Sequence, residues 1–439
     1  MKIAILGGGI TGLVCAEVLS RSGINEITIY ESEENCGGLA SGFRADHWGW
    51  SLERAYHHIF SCDEDILGYA KEIGYDKFYF QSPITSSLYK YKDKYILHPL
   101  DTPIDLLRFP LINIFQRLQA GFALFLLKIS PHLPIFETLS TEKLMSLLMG
   151  KKAYSTLFGG LMQKKFGKYA VNIRSVFIWA RVTKRTKKLG YVQNGFQSFV
   201  DYLKDECEKK GVQIKLKAGV KSVSMVEDGL LEVEDNTSAK AKYDYVVSTL
   251  PSPVASKVMK NVLDSTEIDN LENLKYLASM NVIIETKEKY FDKEYWVSNC
   301  VEDIPALVFV QHTNFVDSRY YDGKNILYVG NYLSEDNPLW TKSKQELLEL
   351  YEGILEKITG KKLEILSSFL FKAKFSQPIF DEGFVKRLPK VETSNNRLFF
   401  ANLDMTYPYD RGTNYAVRLG KKAAAALIKT IDKNTERRL

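Results

Sequence analysis

The sequence predicts an α/β protein in which a doubly wound, Rossmann-like domain is interleaved with an α+β domain of mostly antiparallel sheet plus helices. Three observations predict this fold class. The chain begins with an apolar strand pattern, a glycine loop and a helix pattern within residues 2–31. Strand patterns typical of the same domain return at residues 243–249 and 397–401. Between these segments, residues 280–384 alternate between apolar and polar positions, which is typical of antiparallel strands.

The glycine loop has the spacing G-x-G-x-x-G, at Gly7, Gly9 and Gly12. The first glycine permits a tight turn, the second lets the backbone approach a pyrophosphate, and the third lets helix and strand pack closely. The phosphates would lie at the positive N-terminus of the following helix. A second apolar run ends at Glu31, whose carboxylate would bind a ribose hydroxyl. These features predict a dinucleotide site, whereas the glycines alone are also compatible with an ordinary turn.

The remaining elements follow from the periodicity of apolar residues along the chain. Alternation that turns at Lys92-Asp93 predicts a hairpin within residues 86–98. The other predicted strands lie at residues 213–216, 222–226, 230–233, 281–285, 306–311, 325–332 and 364–371. Helical patterns occupy residues 114–129, 342–357 and 416–431, and an amphipathic helix that follows the segment 189–200 ends at Lys210.

Nucleotide-type segments therefore occur at the start, middle and end of the chain. We assign residues 1–80, 190–279 and 390–439 to the nucleotide-binding domain. Residues 81–189 and 280–389 would form the substrate domain. Two interleaved domains explain this order better than two consecutive ones.

The helix predicted at residues 114–129 is unusually apolar. Five large side chains share one of its faces: Ile114, Leu118, Phe122, Phe125 and Ile129. Charged residues leave no apolar run near the ~18 residues that a membrane span needs. We expect this helix to be buried in the core, the alternative being that it lies against a lipid surface.

The amino-acid composition limits which cellular compartment and which partners we expect. The chain has 439 residues, of which 45% are hydrophobic, and five scattered cysteines without a C-x-x-C pair. This cysteine usage favours a reducing compartment over a disulfide framework and indicates no metal site. Since no leader precedes the first strand, we expect a cytoplasmic protein. Such a protein could also bind peripherally to the inner face of the membrane.

The net charge of +6 is unevenly distributed. Residues 143–200 contain no Asp or Glu but twelve Lys and Arg residues. A field of this sign attracts a phosphorylated substrate, a nucleic acid or an acidic membrane, unless the stretch is simply a solvated basic face. Because aromatic residues are sparse there and no module signature occurs, we expect no nucleic-acid partner.

Four segments resemble the flavoprotein superfamily that contains monoamine oxidases, protoporphyrinogen oxidases, phytoene desaturases and UDP-galactopyranose mutases. They are the loop through Glu31, the pair Gly37-Gly38, the middle segments around Val220 and Thr249, and the end of the chain from Phe399 to Gly420. The resemblance implies an FAD cofactor, with the last helix pointing its N-terminus at the flavin. It assigns to FAD the residues Gly7, Gly9, Ile10, Thr11, Gly12, Glu31, Gly37, Gly38, Leu39, Val220, Thr249, Asp404, Thr413, Asn414 and Tyr415.

One departure from the family pattern concerns the ribityl chain of FAD. The family usually has Ala-Gly-Asp or Ala-Gly-Glu after the last strand, and the acid holds the ribityl chain. This sequence reads Ala401-Asn402-Leu403-Asp404. Either Asp404, from a shifted position, or Asn402 would take the place of that acid.

His58-Ile59-Phe60 is the segment that best discriminates within the superfamily. It resembles UDP-galactopyranose mutases and related flavoproteins of polysaccharide gene clusters, in which this histidine lies near the isoalloxazine. There, His58 would tune the flavin or bind a substrate hydroxyl. A satisfied core histidine is the alternative, and we expect His57 to be structural.

Arginines that could bind an anionic substrate are Arg174, Arg181, Arg185 and Arg411. Mutases bind a nucleotide-sugar pyrophosphate with arginines, because a planar guanidinium matches phosphate geometry. We favour Arg411, because Tyr407-Pro-Tyr-Asp-Arg leads directly into the last helix. Its alternative is a salt bridge to Asp410 or Asp404. We expect His58 and Arg411 to face the substrate, with Arg181, Arg185 and Tyr407 as further substrate residues.

The resemblance implies an FAD-dependent oxidoreductase that transfers a hydride from a small substrate, phosphate-bearing, isoprenoid or sugar, to flavin N5. Protein nucleophiles are not needed for such chemistry, since the cofactor supplies the reactive group. One alternative is a mutase-like enzyme acting on a nucleotide-linked sugar in polysaccharide biosynthesis. Another is an FAD-stabilised protein that binds a membrane peripherally. The sequence indicates no oligomeric state.

Overall fold

Five parallel strands form a central sheet from three distant parts of the chain in the computed structural model, which describes residues 1–436. Strands β1–β20 and helices α1–α16 are numbered along the described chain. In their order across the sheet, the five strands are β10 (Gln213–Lys215), β2 (Glu26–Tyr30), β1 (Lys2–Leu6), β14 (Tyr245–Ser248) and β20 (Leu398–Phe400). Each pair of neighbours is parallel, so all five carboxyl ends lie at one edge.

A seven-stranded sheet forms the second layer, and only its β16–β7 pair is parallel. Its order is β19 (Ile365–Pro378), β15 (Tyr276–Thr286), β18 (Asn325–Leu333), β17 (Val308–Gln311), β16 (Glu294–Asn299), β7 (Ile84–Tyr91) and β8 (Lys94–His98). Strands β7 and β8 form the predicted hairpin, and its turn residues Lys92 and Asp93 both have positive φ. Two such residues are typical of a type I′ turn, which matches the twist of a hairpin.

Three smaller sheets complete the β-structure described here. Their strands are β3 (Gly42–Phe43) with β4 (Leu52–Glu53), then β5 (Ile59–Phe60), β9 (Leu189–Val192) and β6 (Phe78–Gln81), and finally β11 (Val220–Met225), β12 (Leu231–Asp235) and β13 (Lys240–Tyr243). The α/β fold class is thereby confirmed, while the division into two domains at the boundaries given above stays a prediction.

Helices pack against both sheets and against one another. They are α1 (Ile10–Arg21), α2 (Glu64–Glu72), α3 (Pro103–Leu107), α4 (Ile114–Ile129), α5 (Ile135–Thr138), α6 (Thr141–Met149), α7 (Lys151–Tyr154), α8 (Gly160–Phe166), α9 (Val176–Lys184), α10 (Phe196–Lys209), α11 (Ser252–Val258), α12 (Ser265–Glu272), α13 (Pro338–Thr341), α14 (Lys344–Thr359), α15 (Phe384–Arg387) and α16 (Thr413–Glu436). Helix α16 packs on α1 and α2, which brings the end of the chain to the glycine loop at its start.

Helix α4 has the predicted bounds, but the expectation that its apolar face is buried is wrong. Asn113 and Gln116 form a capping box at its N-terminus, which explains why the helix starts there. The residues of the helix that are buried are Ala120, Ala123 and Leu127, on the opposite side from the large side chains. Within residues 1–436, no helix is both long and apolar enough to span a bilayer.

Candidate functional site

The carboxyl edge of the five-stranded sheet collects the loops that the sequence assigned to a dinucleotide. Gly7 follows β1, Glu31 follows β2, and Thr249 follows β14. The Thr249 hydroxyl donates to the Leu6 carbonyl over 2.9 Å, which fixes the end of β14 against the glycine turn. In open parallel sheets, ligands bind in the crevice at this edge.

The glycine loop and the second glycine pair approach each other through the backbone of Gly9 and Gly37, and we call the space beside them the groove. A Cβ on Gly12 would lie 2.1 Å from the Gly7 carbonyl oxygen, so helix and turn meet only because residue 12 is glycine. Gly9 forms an isolated parallel bridge with Gly37, and the nearest atom to a Cβ at Gly9 would be the Cα of Gly38, at 3.8 Å. No side chain caps the first turn of α1, where Ile10 lies. The N–H groups of that turn are therefore free to bind phosphate.

Glu31 lies at the end of this groove and is buried. Its carboxylate accepts hydrogen bonds from the N–H groups of Gly8, at 2.8 Å, and Glu33, at 2.9 Å. The N–H of Ala218 donates to the backbone carbonyl of Glu31, which holds the segment leading into β11, where Val220 lies, against the end of β2. The structure therefore brings together the residues expected to hold the adenosine part of the cofactor.

Unpaired polar atoms mark the other end of the groove, beyond β20. Three of the buried side-chain oxygen atoms that have no hydrogen-bond partner within residues 1–436 lie here: Ser248 Oγ, Asn402 Oδ1 and Asp404 Oδ1. The second carboxylate oxygen of Asp404 accepts from Ser252, at 2.6 Å, and from Tyr276. Burial raises the pKa of Asp404 to about 6. Since buried polar atoms are rarely left unpaired, these oxygens fit hydroxyl donors such as those of a ribityl chain.

The first residues of α16 adjoin this end of the groove, and Thr413, Asn414 and Tyr415 are buried. Asn414 accepts from the N–H of Ile66 and donates to the carboxylate of Asp65, which ties α16 to α2. Tyr415 stacks on Tyr409 with ring centroids 5.0 Å apart. These contacts fix the direction of the helix N-terminus, whose partial positive charge would stabilise a reduced flavin. Thr11, in the first turn of α1, and Leu39, in the turn that begins at Gly38, are half-buried.

We call the space between the histidine segment and the loop that carries Arg411 the cleft. The His57 Nδ1–H donates to the Ala55 carbonyl over 2.6 Å, while His58 Nδ1 lies 3.3 Å from the Tyr295 hydroxyl. Burial lowers the pKa of His57 to about 4 and that of His58 to about 3. Both imidazoles are therefore neutral near pH 7, and they can hydrogen-bond a ligand without binding an anion through charge.

Arg411 lies beside the histidine segment. Its guanidinium lies 4.8 Å from the centre of the Tyr332 ring and has no carboxylate partner within the described chain. The nearby Tyr56 has its pKa raised to about 12 by burial, a shift that Arg411 opposes. The salt bridge from Arg411 to Asp410 or Asp404 that we considered is not formed. An unpaired, half-buried guanidinium is suited to binding an anion.

Asp410 is instead held by other cations. Its Oδ2 lies 2.9 Å from Lys165 Nζ and 2.9 Å from Arg181 Nη1, and its Oδ1 accepts from Gln377 over 3.2 Å. Burial opposes the charged carboxylate, but Lys165 and Arg181 outweigh burial and lower the pKa of Asp410 to about 2. This network fixes the loop that carries Arg411. Sequence reasoning missed Lys165 and Gln377, because neither stands in a motif.

The other predicted substrate residues have different surroundings. Arg185 pairs with Asp101 over 2.6 Å, and Arg174 pairs with Glu382 over 2.7 Å. Tyr407 packs on the rings of Phe380 and Phe384. A substrate role for Arg181, Arg185 and Tyr407 stays a prediction. Arg181 contacts Asp410, and Tyr407 lies at the start of the loop that carries Arg411.

A buried glutamate anchors the segment that leads to the histidines. Glu53 accepts from the Tyr191 hydroxyl, at 2.8 Å, and from the Phe196 N–H, at 2.8 Å. Burial raises the pKa of Glu53 to about 7, against an ordinary value near 4.5. Between these two pH values the folded state binds more protons than the unfolded chain, so stability falls as pH rises through this window.

Glu53→Gln is expected to remove this pH dependence. The quantity to follow is the free energy of unfolding of the wild type minus that of the variant. This difference should fall by about 3 kcal/mol as the pH rises from 4.5 to 8. Urea unfolding at several pH values measures this difference. Glu227→Gln, in an exposed turn, is the control and should keep the wild-type slope. Parallel slopes for the wild type and Glu53→Gln would contradict the prediction.

Comparison with known proteins gives one family and several similar folds. The family model of flavin-containing amine oxidoreductases matches residues 10–428. No match was found among curated protein sequences. One similar solved structure is a candidate protoporphyrinogen oxidase from Exiguobacterium sp. 255-15, with 17% identity, 97% of this chain and 98% of that chain covered, and a TM-score of 0.78. Another is the cyclohexylamine oxidase of Brevibacterium oxydans IH-35A, with 12% identity, 98% of this chain and 99% of that chain covered, and a TM-score of 0.76.

A reduced UDP-galactopyranose mutase is also similar, with 13% identity, 98% of this chain and 95% of that chain covered, and a TM-score of 0.75. At such low sequence identities, the structural likeness establishes the fold of this chain. It does not decide which of the reactions of these proteins this chain catalyses.

Proposed function

The chain belongs to the family of flavin-containing amine oxidoreductases and is an FAD-dependent oxidoreductase; within that family, we propose that it oxidises a small anionic substrate by hydride transfer from a C–H bond to the flavin. We infer that the substrate is anionic from Arg411, whose unpaired guanidinium lies over the ring of Tyr332 in the cleft. A phosphate-bearing isoprenoid or sugar has the required charge together with apolar or hydroxylated parts that suit the aromatic walls of the cleft.

The cofactor would be held along the groove. We assign its contacts to Gly7, Gly9, Ile10, Thr11, Gly12, Glu31, Gly37, Gly38, Leu39, Val220, Thr249, Asp404, Thr413, Asn414 and Tyr415. When bound, FAD supplies the hydride-accepting group of the reaction. The residues of the chain bind and orient the substrate: Arg411 and Arg181 provide positive charge, and neutral His58 offers a hydrogen bond to a hydroxyl.

Anaerobic mixing with substrates tests this proposal. The purified protein is expected to be yellow, and its flavin absorbance should bleach when the right compound is added without oxygen. A screen of porphyrinogens, amines, polyprenyl phosphates and nucleotide sugars covers cationic compounds and anionic compounds with carboxylate or phosphate groups. Bleaching by phosphate-bearing compounds supports the proposal. Bleaching by uncharged or cationic amines alone would contradict the anionic substrate.

A mutase-like reaction on a nucleotide-linked sugar is the second candidate. His58-Ile59-Phe60 and the positive charge of Arg411 and Arg181 favour it. Such an enzyme would act only after its flavin had been reduced and would leave the flavin reduced afterwards. Conversion of a nucleotide sugar by dithionite-reduced protein, without bleaching of the oxidised form, would therefore select this reaction over oxidation.

The location of the protein is part of the proposal. All five cysteines are free, which suits a reducing compartment such as the cytoplasm. The exposed apolar face of α4 suits peripheral contact with the inner face of a membrane. The alternative of a purely membrane-bound, non-catalytic flavoprotein would show vesicle binding without any turnover in the substrate screen.

A further inference from the structure

Helix α4 presents one continuous stripe of large apolar side chains to solvent. The stripe consists of Phe115, Leu118, Phe122, Phe125 and Ile129, each more than half exposed, with Phe115 the most exposed at 78%. At 100° per residue they fall within an arc of about 80°. The buried Ala120, Ala123 and Leu127 lie on the other side, so the stripe points away from the protein.

The apolar surface extends beyond α4. Ile104 and Leu107 of α3 are exposed, as are Leu133 and Ile135 after α4. Arg117 Nη1 donates to the carbonyl of Leu107 over 2.7 Å and so holds α3 against α4. Soluble monomers rarely expose contiguous apolar patches of this kind unless the patch binds something. Because the stripe is carried on a convex helix and not in a groove, it suits a soft, flat partner.

Positive charge is concentrated in the part of the chain that includes α4 and the helices packed against it. Residues 106–200 contain fifteen Lys and Arg residues but only two acids, Glu137 and Glu142. Exposed Lys151 and Lys152 follow Gly150, which lies beside Gln119 of α4, and exposed Lys187 and Lys188 follow the end of α9.

The acids near α4 are few. Asp101 pairs with Arg185, Asp105 caps α3, and Glu137 lies 3.2 Å from the His132 ring. Glu142 is exposed on α6. The field over the face is therefore positive, which complements an anionic surface.

We propose that the face formed by α3 and α4 docks on an anionic lipid bilayer, with the phenylalanines of α4 among the outer acyl-chain segments and the lysines near lipid phosphates. This arrangement is that of an interfacial amphipathic helix with a basic rim. A second copy of the chain is a poorer occupant, because a two-fold contact would bring two positive rims together. The proposal rests on the peripheral location proposed above and is independent of the redox reaction.

Docking in this orientation would place the bilayer next to the substrate cleft. Lys128, near the end of α4, donates to the carbonyl oxygens of Val182 and Thr183 at 3.2 Å and 2.8 Å. These residues belong to α9, the helix whose Arg181 pairs with Asp410. The lipid-facing helix and the loop that carries Arg411 are thus joined through α9.

Co-sedimentation of the FAD-loaded protein with vesicles tests the proposal. The vesicles contain phosphatidylcholine alone or with about one third phosphatidylglycerol. The wild type should bind the anionic vesicles, and 0.5 M salt should weaken that binding. Phe115→Ser/Phe122→Ser and Lys151→Glu/Lys152→Glu should each lower the partition coefficient about tenfold or more. Met225→Ser, an exposed apolar residue of β11, is the control and should bind as the wild type does.

Each outcome of the vesicle experiment supports or contradicts a defined part of the proposal. Because the substituted side chains are exposed, the flavin spectrum and melting temperature should not change, which separates lost docking from misfolding. No binding of the wild type to anionic vesicles at low salt would overturn both the docking face and the proposed location. Binding that the α4 variant retains would overturn the face alone. A dimer in solution that the Phe115→Ser/Phe122→Ser variant loses, without vesicle binding, would assign the face to a second copy.

Discussion

Replacing Gly9 with valine is expected to give a folded protein that purifies without its flavin. In the structure, a Cβ at Gly9 would find no atom closer than 3.8 Å, so the loop itself tolerates a side chain. The added atoms would instead occupy the groove between the first turn of α1 and Gly38, where the pyrophosphate has to lie. Hydrogen bonds from N–H groups to a charged ligand contribute about 1.5–3 kcal/mol each, so losing two weakens FAD binding about 100-fold or more.

Gly68→Ala is the matched control for this variant. Gly68 is an exposed glycine within α2, and a Cβ there would meet nothing within 4 Å. The control should keep the wild-type ratio of flavin to protein. Both ratios follow from absorbance after gel filtration, and far-ultraviolet circular dichroism checks the fold. A Gly9→Val protein that stays as yellow as Gly68→Ala would show that the cofactor does not use this groove. Gly12→Val cannot serve, because its Cβ would collide with the Gly7 carbonyl and disrupt the fold.

The groove was predictable because its chemistry is local in sequence. Strand, glycine turn, helix and acid follow one another within residues 2–31, and each has a backbone requirement that few residue types satisfy. The hairpin turn at Lys92-Asp93 and the bounds of α4 were predictable for the same reason. The surroundings of α4 were not, since amphipathicity shows which face of a helix is apolar but not what covers that face.

The substrate side of the cleft depends on pairs that are distant in sequence. Lys165 and Asp410 are 245 positions apart, and nothing in the lysine-rich run around Lys165 sets it apart from its neighbours. Their ion pair decides that Arg411 is left without a carboxylate. Asn402 and Asp404 show a further limit: the sequence gives two substitutes for the family's acid, and in the structure both retain an unpaired oxygen.

Arg411→Gln is expected to weaken anion binding about 10- to 100-fold while the protein keeps its flavin. Asp410, Lys165 and Arg181 hold the loop through their own ion pairs, so the change removes a charge without releasing the loop. A bidentate arginine–phosphate contact is worth about 1.5–3 kcal/mol, which corresponds to that loss of affinity. Arg411→Lys should fall in between, because an ammonium keeps the charge but loses the planar fork.

Titration of the flavin absorbance with inorganic pyrophosphate measures this effect, and kcat/KM for the substrate found by anaerobic bleaching should fall in parallel. Arg319→Gln is a matched control: Arg319 lies 4.9 Å over the Tyr320 ring, much as Arg411 lies over Tyr332, but it is exposed at the surface. If only Arg411→Gln weakens pyrophosphate binding, the effect belongs to the cleft and not to the loss of any stacked arginine. Equal affinity in the wild type and Arg411→Gln would remove the reason for expecting an anionic substrate, because Arg411 is the observation on which that substrate class rests.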